Sequence, residues 1–290
     1  MVTQFIQHIS SEKRLSQHTI KAYTNDLLQF ELFLKNESPE SEILTSTFHE
    51  VRAWIVQLSD NQLNSKSINR KIATLKSYFK YLFKHKLIEV DPTLRVKSLK
   101  IKKSLPSFAK ENEMNAVLDI QPYQSDFEGV RDKVVMELLY GTGIRLSEII
   151  NLAETDLDLY TKQIKVTGKR NKQRIIPLNH SLTELLTTYL KLKKDKFGGN
   201  ELIMTDLGKK AYPMFIQRIT EKYLGSNTHL KKKSPHVLRH TFATHLLNEG
   251  ADLNAIKDLL GHSSLAATQV YTHNSIKKLK DIHKLAHPKA

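Results

Sequence analysis

The chain of 290 residues contains 45 Lys and Arg against 30 Asp and Glu, which gives a formal charge of +15 and a pI near 9.7. This length accommodates two domains of ordinary size, and the positive excess favours a polyanionic partner, nucleic acid before a membrane surface. The lack of cysteine excludes a disulfide framework, and no apolar run reaches the roughly 18 residues of a membrane span, so we expect a soluble protein of the reducing cytoplasm.

The N-terminal third is predicted to be helical. Apolar residues recur at helical spacing in three segments, of which the first is opened by Ser16 or Thr19 and the third by Ser65 or Ser67. Their apolar faces are Ile20, Tyr23, Leu27, Phe30 and Leu34; Val51, Trp54, Ile55 and Leu58; and Ile68, Ile72, Leu75, Phe79 and Leu82.

The opposite side of the third segment is predicted to contact DNA. It carries Lys66, Asn69, Arg70, Ser77, Lys80 and Lys84. Lysine and arginine suit phosphates, and Asn69 suits base edges. A solvated helix face is the alternative, but residues 66–100 hold ten basic side chains against two acidic ones, whereas a face that serves solubility alone mixes its signs.

A domain boundary is predicted after this helical block. Asp91 and Pro92 end it, and residues 97–106 form a basic stretch without periodicity. We therefore expect a DNA-binding domain at 1–96, a linker at 97–106 and a second domain at 107–290.

The second domain is predicted to begin with helical and hairpin elements. After a helix over residues 131–140, the glycines of G-T-G-I-R-L-S-E permit a tight bend, which leaves Arg145 at the start of the next helix. A cation there gains nothing from the helix dipole, so it serves either a ligand or a pairing with Glu148 or Glu154. Two β-branched runs, Gln163–Thr167 and residues 174–178, flank G-K-R-N and predict a β-hairpin with Lys169 at its tip.

The densest group of candidate functional residues lies between Ser234 and Tyr271. Ser234 and Pro235 predict a helix start, so that one helical face carries His236, Arg239 and His240. This helix should stop at Gly250, and a second one, opened by Asp252, should stop at Gly261. His262 follows directly, and Tyr271 lies nine residues after His262. The two histidines have the spacing of a metal site, but no Glu follows His236 and Arg239 would place a cation beside the metal, so no metal is expected.

Taken in order, these motifs resemble the tyrosine recombinase (phage integrase) family. T-G-x-R-x-S-E resembles its box I, G-K-R-N-K its catalytic hairpin, and H-x-x-R-H, G-H and the following Tyr its box II. L-S-x-x-T and L-I-E-x-D-P are like the core-binding domain of Xer-type members, and so are the overall length and the closing H-P-K-A. The resemblance implies a mainly α fold in two domains, an N-terminal helical SAM-like core-binding domain and a C-terminal α-rich catalytic domain with a small β-hairpin or sheet.

The catalytic set that the resemblance implies is Arg145, Lys169, His236, Arg239, His262 and Tyr271. Tyr271 would attack a phosphodiester to give a 3′-phosphotyrosyl enzyme, with His236 accepting its proton and the arginines stabilising the charge on phosphorus. Lys169, or Lys172 as the weaker candidate, would protonate the leaving 5′-oxygen. This chemistry needs neither metal nor cofactor.

The expected partners are double-stranded DNA and either further copies of the chain, as a tetramer on two DNA sites, or a paralogous recombinase, with a DNA translocase as an accessory. Chromosome or plasmid dimer resolution is the expected role, and a mobile-element integrase, a topoisomerase-like enzyme and a non-cutting DNA-binding protein of this fold are alternatives. After Tyr271 an amphipathic tail helix is predicted, and its apolar face would dock either on its own domain or on a neighbouring subunit; the face comprises Ile276, Leu279, Ile282 and Leu285.

Overall fold

The computed structural model describes residues 1–101, 107–120, 122–168, 171–225 and 227–261, and the chain divides into two compact units, Met1–Ser104 and Leu105–Ala290. Both units are mainly helical, and the second contains a small antiparallel sheet, so the predicted fold class is confirmed. Within the described ranges, no helix is both long enough and apolar enough to cross a membrane.

The first unit is built from amphipathic helices around one apolar core. Ser16 caps the second helix by accepting the Thr19 N–H at 3.3 Å, as the sequence predicts. The helix that begins at Ser65 is capped by the preceding Asn64, whose side-chain oxygen accepts a backbone N–H at 2.9 Å. The α-helices of the described part are α1 (Val2–Ser11), α2 (Gln17–Glu37), α3 (Phe48–Asp60) and α4 (Ser65–Lys84).

A buried ionic cluster joins α2 to α4 within this unit. The Asp26 carboxylate is 1% exposed and accepts hydrogen bonds from Lys71 Nζ at 2.9 Å, from Thr74 Oγ1 at 2.8 Å and from Arg70. Lys71, which the sequence count includes among the basic residues of the DNA-facing region, is therefore buried, because the carboxylate compensates its charge.

The second unit is organised around one helix that is buried on nearly all sides. This helix, α6 (Phe127–Thr142), packs against four other helices of the unit, α7 to α10, whose ranges follow, which explains why its apolar residues are not confined to one stripe. The α-helices of its described part are α5 (Glu111–Asn115), α6 (Phe127–Thr142), α7 (Leu146–Asn151), α8 (His180–Lys196), α9 (Pro213–Gly225), α10 (Pro235–Asn248) and α11 (Leu253–Leu260), with a π-helical turn at Ala116–Ile120.

Two helix boundaries differ from those predicted. Helix α6 begins at Phe127 and not at residue 131, because the Asp126 carboxylate caps it by accepting the Gly129 N–H at 2.8 Å. Helix α10 ends at Asn248, and Gly250 follows in the left-handed conformation with φ of +82°. The cap of α11 by Asp252 and its end at Gly261, also left-handed, are as predicted.

The sheet has three antiparallel strands in the order β1-β2-β3: β1 (Leu157–Asp158), β2 (Gln163–Thr167) and β3 (Gln173–Pro177). The β2–β3 hairpin is as predicted, whereas β1, at two residues, is too short to give a periodic signal. Ile164 pairs with Ile176, and Val166 pairs with Arg174. All four side chains are buried, so an arginine occupies a core-facing position of the sheet.

Candidate active site

Arg145 lies at a junction between α6, α7 and α11. Gly143 ends α6 in the left-handed conformation, and Arg145 then precedes the first turn of α7. Its guanidinium donates from Nη1 to Glu148 Oε1 and from Nη2 to the Gly261 carbonyl, both at 2.7 Å. The side chain remains 34% exposed, so the pairing with Glu148 that the sequence offered as an alternative leaves Arg145 accessible to a ligand.

Glu148 is the buried acceptor around which the site is assembled. Besides Arg145, it receives both terminal nitrogens of Arg174 in a bidentate pair, at 2.8 Å each. Burial alone would raise the pKa of Glu148, but the hydrogen bonds and charge of Arg174, together with the Arg145 backbone and side-chain donors, outweigh burial and lower that pKa to about 2. The carboxylate is therefore ionised at neutral pH.

Arg239 projects from α10 into the same region and is 7% exposed. Its Nη1 donates to the Gly143 carbonyl, and its Nη2 donates to the Leu260 carbonyl at 2.7 Å. These bonds use two of the five guanidinium donors and orient the group between the end of α6 and the end of α11. Two backbone carbonyls thus hold a cation that has no carboxylate partner among the residues that the structure describes.

The cluster carries more positive than negative charge. Burial, together with the positive charges of Arg145 and Arg174, lowers the pKa of Arg239 to about 10, and the negative charge of Glu148 opposes this shift. Among the described residues, the cluster thus contains three guanidiniums and one carboxylate, that of Glu148, which bonds two of them. A site of this composition attracts an anion, because each added negative charge relieves repulsion among the cations.

The three histidines of α10 lie at different depths. His236, in the first turn, is exposed, whereas His240 is half-buried beside Phe108. Burial lowers the pKa of His240, and the nearby His236 lowers it further. A third histidine, His245, is 3% exposed and is engaged on both ring nitrogens, by Tyr140 Oη and the Ala109 carbonyl at 2.9 Å each, so it anchors the helix.

Three members of the predicted catalytic set, Lys169, His262 and Tyr271, lie outside the described residues, as does the predicted tail with Ile276, Leu279, Ile282 and Leu285. Their described neighbours reach the cluster. A Cβ on Gly168 would stand 3.2 Å from Glu148 Oε1, and the Gly261 carbonyl accepts the Arg145 hydrogen bond. Gly168 and Gly261, the residues that precede Lys169 and His262 in the sequence, therefore both lie at the arginine cluster.

The predicted DNA-binding residues of α4 have unequal surroundings. Lys66, Lys80 and Lys84 are exposed. Arg70 is bonded to Asp26 with its side chain 46% exposed. Both ends of the Asn69 amide bind Leu99, donating to its carbonyl at 2.9 Å and accepting from its N–H at 2.7 Å. These bonds use one donor and one lone pair of the amide, so a base contact by Asn69 would have to use the second N–H or the second lone pair, or replace Leu99.

Sequence reasoning did not identify Arg174 as part of the site. It treated residues 174–178 only as a strand, although an arginine at an inward-facing position of an apolar strand is a signal of a buried ion pair. Glu148 entered only as a competitor for Arg145. In the structure Glu148 does not withdraw Arg145 from the site but holds it there, because the same carboxylate bonds Arg145 and Arg174.

Comparison with known families agrees with this geometry. The phage integrase family matches residues 107–278, and the phage integrase N-terminal SAM-like domain matches residues 2–86. The tyrosine recombinase XerC of Chlorobaculum tepidum is 38% identical over 315 residues, covering 99% of this chain and 94% of the relative. The XerC of Listeria welshimeri is 35% identical over 292 residues, covering 99% and 97%.

Solved structures share the fold. XerH bound to a palindromic difH substrate has a TM-score of 0.73 at 19% identity and covers 97% of this chain and 83% of that one. The Tn1549 transposon integrase in complex with right-end DNA has a TM-score of 0.72 at 21% identity, covering 98% and 99%. The family match and the identity to the XerC relatives go beyond fold: the chain belongs to the phage integrase family and is a tyrosine recombinase, an enzyme that breaks and rejoins DNA strands.

Proposed function

We propose that this chain is an Xer-like site-specific recombinase in which Arg145, Lys169, His236, Arg239, His262 and Tyr271 carry the reaction. Tyr271 Oη attacks the scissile phosphorus, a 3′-phosphotyrosyl bond forms, and the bond to the 5′-oxygen breaks. A 5′-hydroxyl of another strand then reverses the step, so the bond energy is retained and no cofactor is consumed.

The observation that carries this proposal is the unbalanced arginine cluster. A phosphodiester brings one negative charge, and attack at phosphorus develops more charge on the non-bridging oxygens. Arg145, which is one-third exposed, is suited to contact those oxygens, and Arg239 stabilises them from the buried side. Because backbone carbonyls and Glu148 already orient both groups, little reorganisation is needed during attack.

Two proton transfers complete the step. An ordinary tyrosine has a pKa of about 10, so Tyr271 loses its proton as it attacks, and His236 accepts it. The exposure of His236 on α10 supports this role, because the residue is accessible to a substrate. Lys169 donates a proton to the leaving 5′-oxygen, supported by the approach of Gly168 to the site, and His262 orients the phosphate.

The proposed biological role is resolution of chromosome or plasmid dimers, and hence chromosome partition at cell division. It is supported by identity to the XerC relatives over nearly the whole length of both chains. Integration of a mobile element by the same chemistry is the second candidate, which the fold shared with the Tn1549 integrase favours. Acting on genomic DNA, the enzyme is placed in the cytoplasm by this proposal.

The proposed assembly is a tetramer on two duplexes, of identical chains or with a paralogous recombinase. The tail after Asn274 would dock on the neighbouring subunit and couple the position of Tyr271 to the presence of that neighbour. Heterologous contacts of this kind close into a ring in a cyclic tetramer. A chain ending at Asn274 should then bind a single DNA site but fail to recombine, and recombination at the full-length rate would contradict docking in trans.

Covalent capture tests the central claim. The protein is incubated with sheared genomic DNA of its source, denatured, and the DNA attached to it is sequenced. The wild type and Tyr160→Phe, a control at a side chain that is 96% exposed, should retain DNA at one recurrent site, whereas Tyr271→Phe should bind that site without attachment. Covalent attachment by Tyr271→Phe, or none by the wild type, would reject the assignment; the second result would favour a non-cutting DNA-binding protein.

A further inference from the structure

Arg174 occupies a buried, core-facing position of the sheet, where a charged side chain is unfavourable unless it is paired. It lies on β3 opposite Val166 and on the same buried face as Ile176, with 5% of its surface exposed. An unpaired guanidinium in such a place is strongly unfavourable, and an apolar residue would serve the core better. At this exposure, Arg174 is also unavailable for direct contact with DNA.

Its hydrogen bonds connect three separate segments of the second unit. Nη1 and Nη2 hold both oxygens of Glu148 on α7 at 2.8 Å, and Nε donates to the Leu259 carbonyl in the last turn of α11 at 2.9 Å. The fork geometry fixes the plane of the carboxylate as well as its position. A lysine, with one nitrogen, cannot reproduce these three bonds at once.

Each segment that Arg174 holds supports a group that faces the substrate. Glu148 accepts Nη1 and the backbone N–H of Arg145. Beyond Leu259, the Leu260 carbonyl orients Arg239 and the Gly261 carbonyl orients Arg145. Moving Arg174 would therefore shift acceptors of both arginines together.

Arg174 also borders the hairpin tip and the end of α11. A Cβ on Gly168 would lie 3.7 Å from Arg174 Nη1, and a Cβ on Gly261 would lie 3.3 Å from the same atom. These glycines immediately precede the segments that carry Lys169 and His262. Arg145 also bonds Glu148 and the Gly261 carbonyl at the end of α11, but its side chain is one-third exposed, whereas Arg174 makes both connections from within the core.

We propose that Arg174 is a positioning residue for strand cleavage, which fixes Glu148 and the end of α11 so that Arg145 and Arg239 meet one phosphate in register. This inference rests on the proposed function. It predicts that loss of the three-way connection slows the chemical step and leaves DNA affinity nearly intact, since Arg174 is buried away from the ligand.

The test compares Arg174→Lys with Arg131→Lys. Arg131 is a matched control in the same unit: it is 3% exposed and binds a carboxylate, that of Asp132, through two nitrogens, at 3.1 and 2.7 Å, but none of its partners belongs to the arginine cluster. Single-turnover cleavage is measured on a nicked duplex of the site recovered by covalent capture, together with the Kd for the intact duplex and the Tm of each variant.

Arg174→Lys should slow cleavage on the order of 100-fold, the effect of displacing reacting groups by about 1 Å, with Kd changed less than about twofold. Arg131→Lys should lose comparable Tm and retain the wild-type rate. Equal rates for both variants, or a loss for Arg174→Lys that appears in Kd alone, would overturn the proposal. If the proposed function is wrong, the wild type itself forms no covalent adduct with DNA and no cleavage rate can be measured. That result is distinct from one in which the wild type cleaves and Arg174→Lys cleaves equally fast.

A second variant covers the case in which Arg174→Lys does not fold. The double change Arg174→Gln with Glu148→Gln removes both charges of the pair, which is less harmful than leaving one charge buried alone. Where the single variants fold, their rate losses should not multiply in the double variant, because Arg174 acts through Glu148. A folded double variant that cleaves at the wild-type rate would refute the proposal.

Discussion

Gly143 is the point at which one added methyl group should disturb both the fold and the arginine site. The residue has φ of +59°, and a Cβ there would lie 2.5 Å from Phe242 Cδ1 on α10 and 2.7 Å from Leu260 Cδ2 on α11. Its carbonyl accepts Arg239 Nη1, and the Leu260 carbonyl accepts Nη2. Gly143→Ala therefore pushes apart the two acceptors of the same guanidinium.

The expected loss of stability has two parts. A left-handed conformation costs an alanine about 1–2 kcal/mol relative to glycine. Forcing a methyl group against packed side chains adds about 1–3 kcal/mol. The sum, roughly 2–5 kcal/mol, is a large share of the roughly 5–15 kcal/mol that stabilises an ordinary domain. Displacement of Arg239 should also slow cleavage on the order of 100-fold, as loss of one transition-state donor does.

Gly250→Ala separates the two parts. Gly250 also has a positive φ, +82°, but no atom of the described residues lies within 4 Å of its added Cβ, so only the conformational cost applies. Hydrogen exchange of the slowest amides in α6 and α10 measures the free energy of unfolding for this unit. Fluorescence of Trp54 is unsuitable as the main probe, because the only tryptophan lies in the first unit.

We expect Gly143→Ala to be the more destabilised variant by about 1–3 kcal/mol, and the only one of the two with slowed cleavage. Equal losses of stability would show that Phe242 and Leu260 move aside without cost. A wild-type cleavage rate in a destabilised Gly143→Ala would show that the orientation of Arg239 does not depend on these two carbonyls.

Three further outcomes are expected. Lys169→Ala should regain cleavage on a substrate whose leaving 5′-oxygen is replaced by sulfur, which needs no acid; rescue of Lys172→Ala in its place would reassign the proton donor. The pKa of Glu148, lowered from 4.5 to about 2, means that its carboxylate stabilises the fold above pH 4.5 and that this contribution is lost as pH falls towards 2, so Glu148→Gln should flatten the fall in unfolding free energy measured between pH 4.5 and 3. Replacing Lys80 and Lys84 with Ala should make the log–log salt dependence of DNA binding shallower by about 1–2, at about 0.9 for each lost phosphate contact, as measured by anisotropy.

Controls for the last two measurements are available in the chain. Lys21 and Lys35 are exposed on α2, and replacing both with Ala removes the same charge from the same unit. An equal change of slope in that variant would mean that net charge, and not α4, determines the salt dependence. For Glu148→Gln, an unchanged pH slope would show that its pKa is not depressed in the folded chain.

The sequence alone determined those features whose causes are local. The caps at Ser16 and Asp252, the helix end at Gly261 and the β-branched runs that predict the β2–β3 hairpin depend on residues a few positions apart, so they can be identified without coordinates. The order and spacing of the motifs also indicated the family. The residues of one active site come from successive helices and strands of the fold, so they occur in a characteristic order and at characteristic distances along the chain.

Tertiary structure decided which charged groups are paired and which are accessible. Lys71 and Asp26 are 45 positions apart, and the pair turns a predicted surface lysine into a buried one. Arg174 and Glu148 are 26 positions apart on different elements, and Asn69 meets Leu99 across 30 positions. Periodicity cannot reveal such partners, because it specifies the face on which a side chain lies and not what the fold brings against that face. The charge balance of the site, three guanidiniums to one carboxylate among the described residues, therefore follows only from how α7, β3, α10 and α11 pack together.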